Sequence, residues 1–598
     1  MTIASPPTLL DAALRRVDDL AEKIFAGWHV PGVAYGVVLG GELIHTGGLG
    51  ALRVGEEATP NASSVFRIAS MTKSFTAAAV LSLRDEGLLR LDDEAATYVP
   101  ELRGIRLPTT DSPPITIRHL LTMTAGFPTD DPWGDRQQGL DLEEFAKLLQ
   151  RGLSFAFAPG TSFEYSNTGY GILGRLITNV AGREYREVVR ERLLQPLGMD
   201  STGYLEEEVP EERKAHGYVW RDDGYIEDPM DGYGALASMG GIFTTVEDLA
   251  HWVAGFTDAF PARDGPEGPH PLPRATRREM QQAHVPAGMV LTYASTDAVP
   301  MTVTESYGYG LFIVDHISAG RIITHGGGYP GFGTNMRWHP ASGLGVIVLA
   351  NGRYAPSGLL AREQLDELVR AEAAPIRRTR LAAATQAARV AIEALMERWD
   401  DARAAAIFAM NVELDEPLAH RREALDRIRE RHGALRPDDS EPTESRTPFH
   451  HAWWMTGDRG RVRIEILLSP ELPPKIQAFN VTSVPEPPAA LQDAAARIVD
   501  ALQPASSPGP VVVDWPAGLT VGESVDLGPV VRAMRAAEAR FAPIRLGPAT
   551  AGDGEQRATF RLESPRGRAD LALELDPGAM CLTSISIVPV RLTPPDAD

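Results

Sequence analysis

The chain has a single cysteine, Cys581, in 598 residues. One thiol excludes an intramolecular disulfide and fits a reducing compartment; reactive and inert readings of it are both open, with inert the commoner. No apolar run approaches the roughly 18 residues that a membrane-spanning helix needs. Positive charge is also scarce: 58 Lys and Arg stand against 80 Asp and Glu, a formal net charge of −22. That argues against a nucleic-acid or anionic-membrane partner, since both need a basic surface. No H-E-x-x-H and no Cys/His ligand spacing occurs, so no metal or other cofactor is expected. The opening stretch, MTIASPPTLLDAALRRVDDLAEKIFAG, reads as an amphipathic helix without the apolar core of a signal peptide. The expected location is cytoplasmic.

What is present is an ordinary globular balance, 43% apolar and 23% charged residues. The length exceeds what one core holds, so two to four domains are expected.

Three short elements carry chemistry. The first is Ser70-Met71-Thr72-Lys73, where an extended stretch meets a helical one in FRIASMTKSFTAAAVLSLRDEGLL. A serine and a lysine three apart at a helix start share one face. Backbone N–H groups and a partial positive charge are exposed there. The hydroxyl is a weak nucleophile until a base takes its proton, and the lysine is placed to help. Alone, this spacing is more often a capping serine beside a solvated lysine.

The second element is Tyr165-Ser166-Asn167 in PGTSFEYSNTGYGILGRL. On an extended segment, residues two apart point to one side. The tyrosine can act as base or proton relay, and the amide can hold a substrate carbonyl. The third is His325-Gly326-Gly327, at the end of a short apolar strand in RIITHGGGYPGFGTNMRW. Glycines there let a substrate backbone lie against the strand edge.

In this order the elements resemble the serine β-lactamase and penicillin-binding-protein superfamily, in the branch of class C β-lactamases, DD-peptidases, D-aminopeptidases and related esterases. Class A relatives carry S-x-x-K, S-D-N and K-T-G; here Tyr-x-Asn and His-Gly-Gly take the second and third places. EGLLRLDDEAATYVPEL, ITIRHLLTMTAGF, LLQPLGMDSTGY and SMGGIFTTVEDLAHW also resemble the family, and the likeness runs from about residue 10 to about 375. Where Met123 stands, relatives more often carry His.

The resemblance implies an α+β catalytic domain over 1–375. An antiparallel sheet flanked by the terminal helices would stand beside an all-helical subdomain, with the site in the cleft between them. It implies acyl transfer by Ser70, with Lys73 and Tyr165 as a coupled proton-transfer pair. Tyr165 is preferred as general base, with Lys73 keeping its charge. Asn167 would orient the substrate amide, and the N–H groups of Ser70 and Gly328 would form the oxyanion hole. His325 replaces the lysine of β-lactamases, which removes a permanent positive charge and disfavours β-lactam hydrolysis.

The leading expectation is therefore a hydrolase for small peptides or amides, D-residue-containing by the resemblance (D-aminopeptidase or DD-peptidase-like). An esterase or a thioesterase-type peptide cyclase is the alternative among enzymes. A non-catalytic binding protein on the same fold is the alternative of another class.

The organisation follows. GVAYGVVLGGELIHTGGLGAL carries a hairpin signature. RIITHGGG and LGVIVLANG are further strands, GLLAREQLDELVRAEAA is a closing helix, and about 66 to 250 is mostly helical. The Pro-rich stretch from about 255 to 305 is expected to be irregular, as a cleft rim or a surface excursion.

After Pro375 an internal repeat appears. RGRVRIEILLSPE (459–471) parallels RGRADLALELDPG (566–578), and IQAFNVTSV (476–484) parallels LTSISIVPV (582–590). We expect two tandem α+β domains, 376–487 and 488–598, each helices followed by antiparallel strands. One eight-stranded barrel is the alternative. The repeat holds no nucleophile–base pair. It is expected to restrict substrate length or to join copies of the chain into a homo-oligomer. His450 and His451, beside Trp453 and Trp454, point to opposite faces of a strand and are expected to be structural.

Overall fold

The structure is a computed structural model of the chain. It describes residues 9–293, 300–316, 320–371, 373–377, 380–441, 443–503, 515–523, 525–541, 543–564 and 567–590. The chain divides into two compact units, Met1–Pro375 and Ile376–Asp598.

In the first unit, the strands of the main sheet are β1 (Gly32–Leu39), β2 (Glu42–Gly50), β3 (Val285–Tyr293), β4 (Pro300–Tyr307), β5 (Phe312–His316), β6 (Gly320–Tyr329), β7 (Phe332–His339) and β8 (Leu344–Ala350). They are antiparallel in the order β2-β1-β8-β7-β6-β5-β4-β3. Strands from both ends of the unit thus meet in one sheet, as β1 pairs with β8. The β1–β2 hairpin turns through Gly40 and Gly41, at φ +64° and +95°. Positive φ at both positions matches the right-handed twist of the flanking strands.

Alternation along β1 assigns the two faces. Val33, Tyr35 and Val37 meet α1 (Leu9–Phe25) and the closing helix Ser357–Arg370. Helix α1 offers Ala13, Val17 and Ala21, four residues apart and buried. Ala34 and Val38 share the other core with Val246, Trp252 and Val253 of the helix Val246–Asp258. Helices cover both faces, so β8 (LGVIVLA) is buried along its whole length.

The stretch 255–305 departs from expectation. It contains the helix Arg274–Met280 and two regular strands, β3 and β4; residues 294–299 lie outside the described residues, as do 1–8 of the predicted N-terminal helix. Its prolines and glycines suggested irregularity. An outermost strand tolerates them, because one side has no ladder to break. The register of β3 against β4 shifts between Pro286 and Gly288, the mark of a bulge.

The second unit carries two four-stranded antiparallel sheets in chain order, not an eight-stranded barrel, among the described residues. Arg436–Pro437, His450–Gly457, Gly460–Leu468 and Ile476–Pro485 make the first. Arg545–Gly552, Arg557–Ser564, Gly567–Asp576 and Cys581–Val590 make the second. Helices precede each, among them Ala383–Glu397 and Leu418–His432 for the first and Ala489–Ala501 and Leu527–Phe541 for the second. Trp453 and Trp454 point to opposite faces. Trp453 joins the core of Ile392 and Leu395, whereas Trp454 joins the core of Leu491 and Leu571. His450 is held by Glu465 at 2.8 Å, and His451 stacks on Trp453. No helix among the described residues is long and apolar enough to cross a membrane.

Candidate active site

Ser70 stands where extended chain becomes helix. Phe66–Arg67 pairs with Phe243–Thr244, Ala69–Met71 makes one 3-10 turn, and α2 runs over Thr72–Asp85. The serine is therefore just ahead of the α-helix rather than in its first turn. Ala69 has φ of +48°, a left-handed conformation that costs a non-glycine residue roughly 1–3 kcal/mol. The strained residue directly precedes Ser70. Residues Thr72 to Leu83 of α2 are buried on every side, so the helix holding Lys73 is embedded in core.

Lys73 has no exposed surface. Its Nζ lies 2.9 Å from Ser70 Oγ, 2.7 Å from Asn167 Oδ1 and 2.9 Å from the Met239 carbonyl oxygen. An ammonium has three donors, and here each has an acceptor. As a neutral amine, Lys73 can keep its bonds to Asn167 and Met239, which only accept through those oxygens, and turn its lone pair to the Ser70 hydroxyl. Burial lowers the Lys73 pKa to about 8, against the opposing pull of Asp131, Asp135 and Asp130.

Asn167 is the first residue of a second helix, α3 (Asn167–Ala181), and Tyr165 lies just ahead of it; Ser166 between them caps the helix, its Oγ accepting the Gly169 N–H. The Tyr165 ring lies 4.9 Å from Lys73 Nζ. Burial and then Asp131 raise its phenol well above 10, and a hydrogen bond with Ser70 opposes them. Tyr165 is thus a neutral phenol at neutral pH. Burial thus brings the Lys73 pKa toward neutrality and moves the Tyr165 phenol away from it. Asn167 is 1% exposed. Its Nδ2 donates to Asp131 at 2.6 Å while Oδ1 faces Lys73.

His325 lies on β6 among Phe312, Tyr307 and Tyr165, with ring centroids 5.5, 6.1 and 6.4 Å away. Its Nδ1 is 2.6 Å from the Gly326 carbonyl oxygen and its Nε2 3.3 Å from the Tyr307 hydroxyl. Burial, followed by the charge of Lys73, lowers its pKa to about 3. It is therefore neutral, donating through Nδ1 and accepting through Nε2. At this place the site holds no cation.

The glycines are not at the end of the strand, since β6 continues to Tyr329. It pairs with β7 through Tyr329↔Phe332 but with β5 only as far as Thr324↔Phe312. Among the described residues, 325–329 lack a ladder partner on the β5 side. A Cβ on Gly327 would stand 2.1 Å from the Ile68 carbonyl oxygen, and one on Gly328 2.7 Å from the Tyr354 ring. Gly326 is roomier, with its nearest neighbour at 3.5 Å.

Sequence reasoning missed one segment, DDPWGD (130–135). Asp130 accepts the N–H groups of Asn167 at 2.6 Å and Thr168 at 2.8 Å, Asp131 holds the Asn167 amide, and Asp135 accepts the Tyr354 hydroxyl at 2.6 Å. Asp-Asp before Pro132 is a helix-start pattern, but nothing local ties it to Asn167. The Met123 sulfur accepts the N–H of Ser166, between Tyr165 and Asn167, at 3.3 Å.

The beta-lactamase family profile matches residues 17–370. The chain belongs to the beta-lactamase family. Members of the beta-lactamase and penicillin-binding-protein group are generally serine hydrolases. This family member is 30% identical over 260 residues to D-alanyl-D-alanine-carboxypeptidase/endopeptidase AmpH of Escherichia coli K12, covering 42% of this chain and 63% of that protein. It is 25% identical over 360 residues to protein flp of Staphylococcus aureus MRSA252, covering 58% of this chain and 65% of that protein. It thus spans less than two thirds of the length of either relative.

Among solved structures, the octameric penicillin-binding protein homologue from Pyrococcus abyssi matches at 18% identity and a TM-score of 0.49, over 97% of this chain and 98% of that one. The beta-lactamase/D-alanine carboxypeptidase from Yersinia pestis matches at 23% identity and a TM-score of 0.49, over 60% and 98%.

Proposed function

We propose that the chain is a serine hydrolase that cleaves a peptide or amide, with a D-residue at the scissile bond, through an acyl-enzyme on Ser70. The observation that carries this reading is Lys73 Nζ, buried and hydrogen-bonded to both Ser70 Oγ and Asn167 Oδ1, with the Tyr165 ring beside it. The D-residue rests on the name of AmpH, a D-alanyl-D-alanine-carboxypeptidase.

In the proposed sequence, Ser70 Oγ bonds to the carbonyl carbon as its proton passes to neutral Lys73. The oxyanion lies against the N–H groups of Ser70 and Gly328, donors that typically contribute a few kcal/mol each. Tyr165, bonded to Ser70, relays a proton to the leaving amine as the C–N bond breaks. Water then takes the acyl group by the reverse path. Asn167 and the strand edge at Gly326 and Gly327 hold the substrate. Neutral His325 supports weak β-lactam turnover, since it offers no charge to a β-lactam carboxylate.

The tail, read as 376–487 and 488–598, is assigned to limiting substrate length or joining copies of the chain. The acidic composition with one cysteine supports cytoplasmic action.

The deciding experiment presents the purified protein with D- and L-aminoacyl amides, p-nitrophenyl esters and a chromogenic cephalosporin. Faster turnover of D-amides supports the reading. Turnover confined to the esters, or equal rates for D and L, overturns it.

A further inference from the structure

We propose that Asp131 is a positioning residue for the Ser70–Lys73 pair, acting through the side-chain amide of Asn167. Four groups form one hydrogen-bonded line. Ser70 Oγ is 2.9 Å from Lys73 Nζ, Nζ is 2.7 Å from Asn167 Oδ1, and Asn167 Nδ2 is 2.6 Å from Asp131 Oδ1. The inference rests on the reading of Ser70 as nucleophile and Lys73 as its base.

The amide has two unlike ends, and Asp131 decides which end faces Lys73. A carboxylate only accepts, so Nδ2 must point to Asp131 and Oδ1 must point to Lys73. The flipped amide would set N–H donors against an ammonium and a carbonyl oxygen against a carboxylate. Both contacts would be repulsive in a site where Asn167 and Lys73 are shut off from water.

The other charges around Lys73 are committed elsewhere. Asp130 caps α3 through Asn167, Thr168 and the Thr168 hydroxyl. Asp135 is bonded to Tyr354. Tyr165 and Tyr170, whose rings lie 4.9 and 5.7 Å from Nζ, are neutral phenols raised by burial, and His325 is a neutral imidazole. Of the three carboxylates, Asp131 is the one joined to Lys73 through a single intervening side chain.

Two consequences differ in kind. The charge of Asp131 favours the ammonium, so it sets the pH above which Lys73 can turn a lone pair to Ser70. The hydrogen bond of Asp131 fixes the amide, so it sets how well Asn167 holds Lys73 in reach of Ser70. Asp131→Asn removes the charge and still offers an acceptor to Nδ2. Asp131→Leu removes both. Asp131→Glu restores the charge.

The test is the rate constant for inactivation of the full chain by a serine-directed fluorophosphonate between pH 6 and 10, with the adduct located by mass spectrometry. For Asp131→Asn the rising limb should move about one pH unit lower, the lower end of what removal of a nearby opposite charge produces. Asp131→Leu should show the same movement and a plateau lowered roughly tenfold or more. Asp131→Glu should bring the limb back toward that of the unaltered chain. A limb that stays in place in Asp131→Asn, or a uniform loss of rate at every pH in both variants, overturns the inference. If Asp131→Leu does not fold, the near-isosteric Asn variant and the Glu variant decide it. An adduct absent from Ser70 in the unaltered chain overturns the proposed function instead, so the two failures are told apart.

Discussion

Gly327 of β6 faces Ile68 so closely that a Cβ on the glycine would stand 2.1 Å from the Ile68 carbonyl oxygen. Ile68 lies two residues before Ser70, and the same oxygen accepts the Thr334 hydroxyl at 2.9 Å. The third sequence element is thereby pressed against the turn that presents the first. The Thr334 Oγ1 would also stand 2.3 Å from that Cβ, but the Ile68 carbonyl is backbone, so moving a side chain alone does not relieve the clash.

Gly327→Ala should therefore push the strand away from the Ser70 turn. Overpacking of this kind typically costs about 1–3 kcal/mol. We expect a lower melting temperature together with at least a hundredfold slower labelling of Ser70 by a fluorophosphonate. Gly326→Ala should keep a melting temperature within a few degrees of the unaltered chain, because its nearest neighbour is 3.5 Å away. Equal melting temperatures for the two variants would contradict the packing account.

The rate of labelling should rise with pH and level off. Lys73 has a pKa of about 8 in the folded chain. Below that value its lone pair is occupied by a proton and Ser70 has no base. Above it the neutral amine is the major form. A profile with a rising limb centred near pH 8 is expected, and one that falls through pH 8 would mean that the ammonium is the working form.

A fluorophosphonate or penicillin that reacts should label Ser70 and no other serine. Peptide mapping by mass spectrometry checks this, and Ser70→Ala should abolish the adduct. Labelling that persists in the alanine variant, or an adduct elsewhere, removes Ser70 from the mechanism.

Tyr165→Phe should lower turnover roughly 10²–10⁴-fold, the usual contribution of a positioned proton-transfer group. The ring still stacks on Phe312, 6.3 Å away and nearly parallel, so folding should change little. Full turnover in the purified variant would take Tyr165 out of the proton path.

Truncation after Pro375 should leave a chain that still reacts at Ser70. The family match ends at residue 370, and the first compact unit ends at Pro375. Substrate range or oligomeric state, read by the amide panel and by light scattering, should change. A folded truncation that cannot be labelled would show that the tail completes the site.

The order of the three elements, the hairpin with its paired glycines and the strands at both ends of the first unit are legible in the sequence; that those strands join one sheet is what the family resemblance adds. These are local features: the three-residue spacing of Ser70 and Lys73, the two-residue spacing of Tyr165 and Asn167, and the short apolar runs of β1 and β8 depend on backbone geometry alone. What local spacing does not contain is the company each side chain keeps. Asp131 meets Asn167 across 36 residues of chain, and His325 meets Tyr307 on β4. Strands β3 and β4 are regular only because the sheet offers them a ladder. The same holds for the protonation states. A free lysine titrates near 10.4 and a free histidine near 6.5, and the burial that moves them to about 8 and about 3 exists only once the helical and sheet layers close around them. The sequence by itself thus determined which groups are available for chemistry; the tertiary structure decided which of them carry protons, because desolvation and charge act through space and not along the chain.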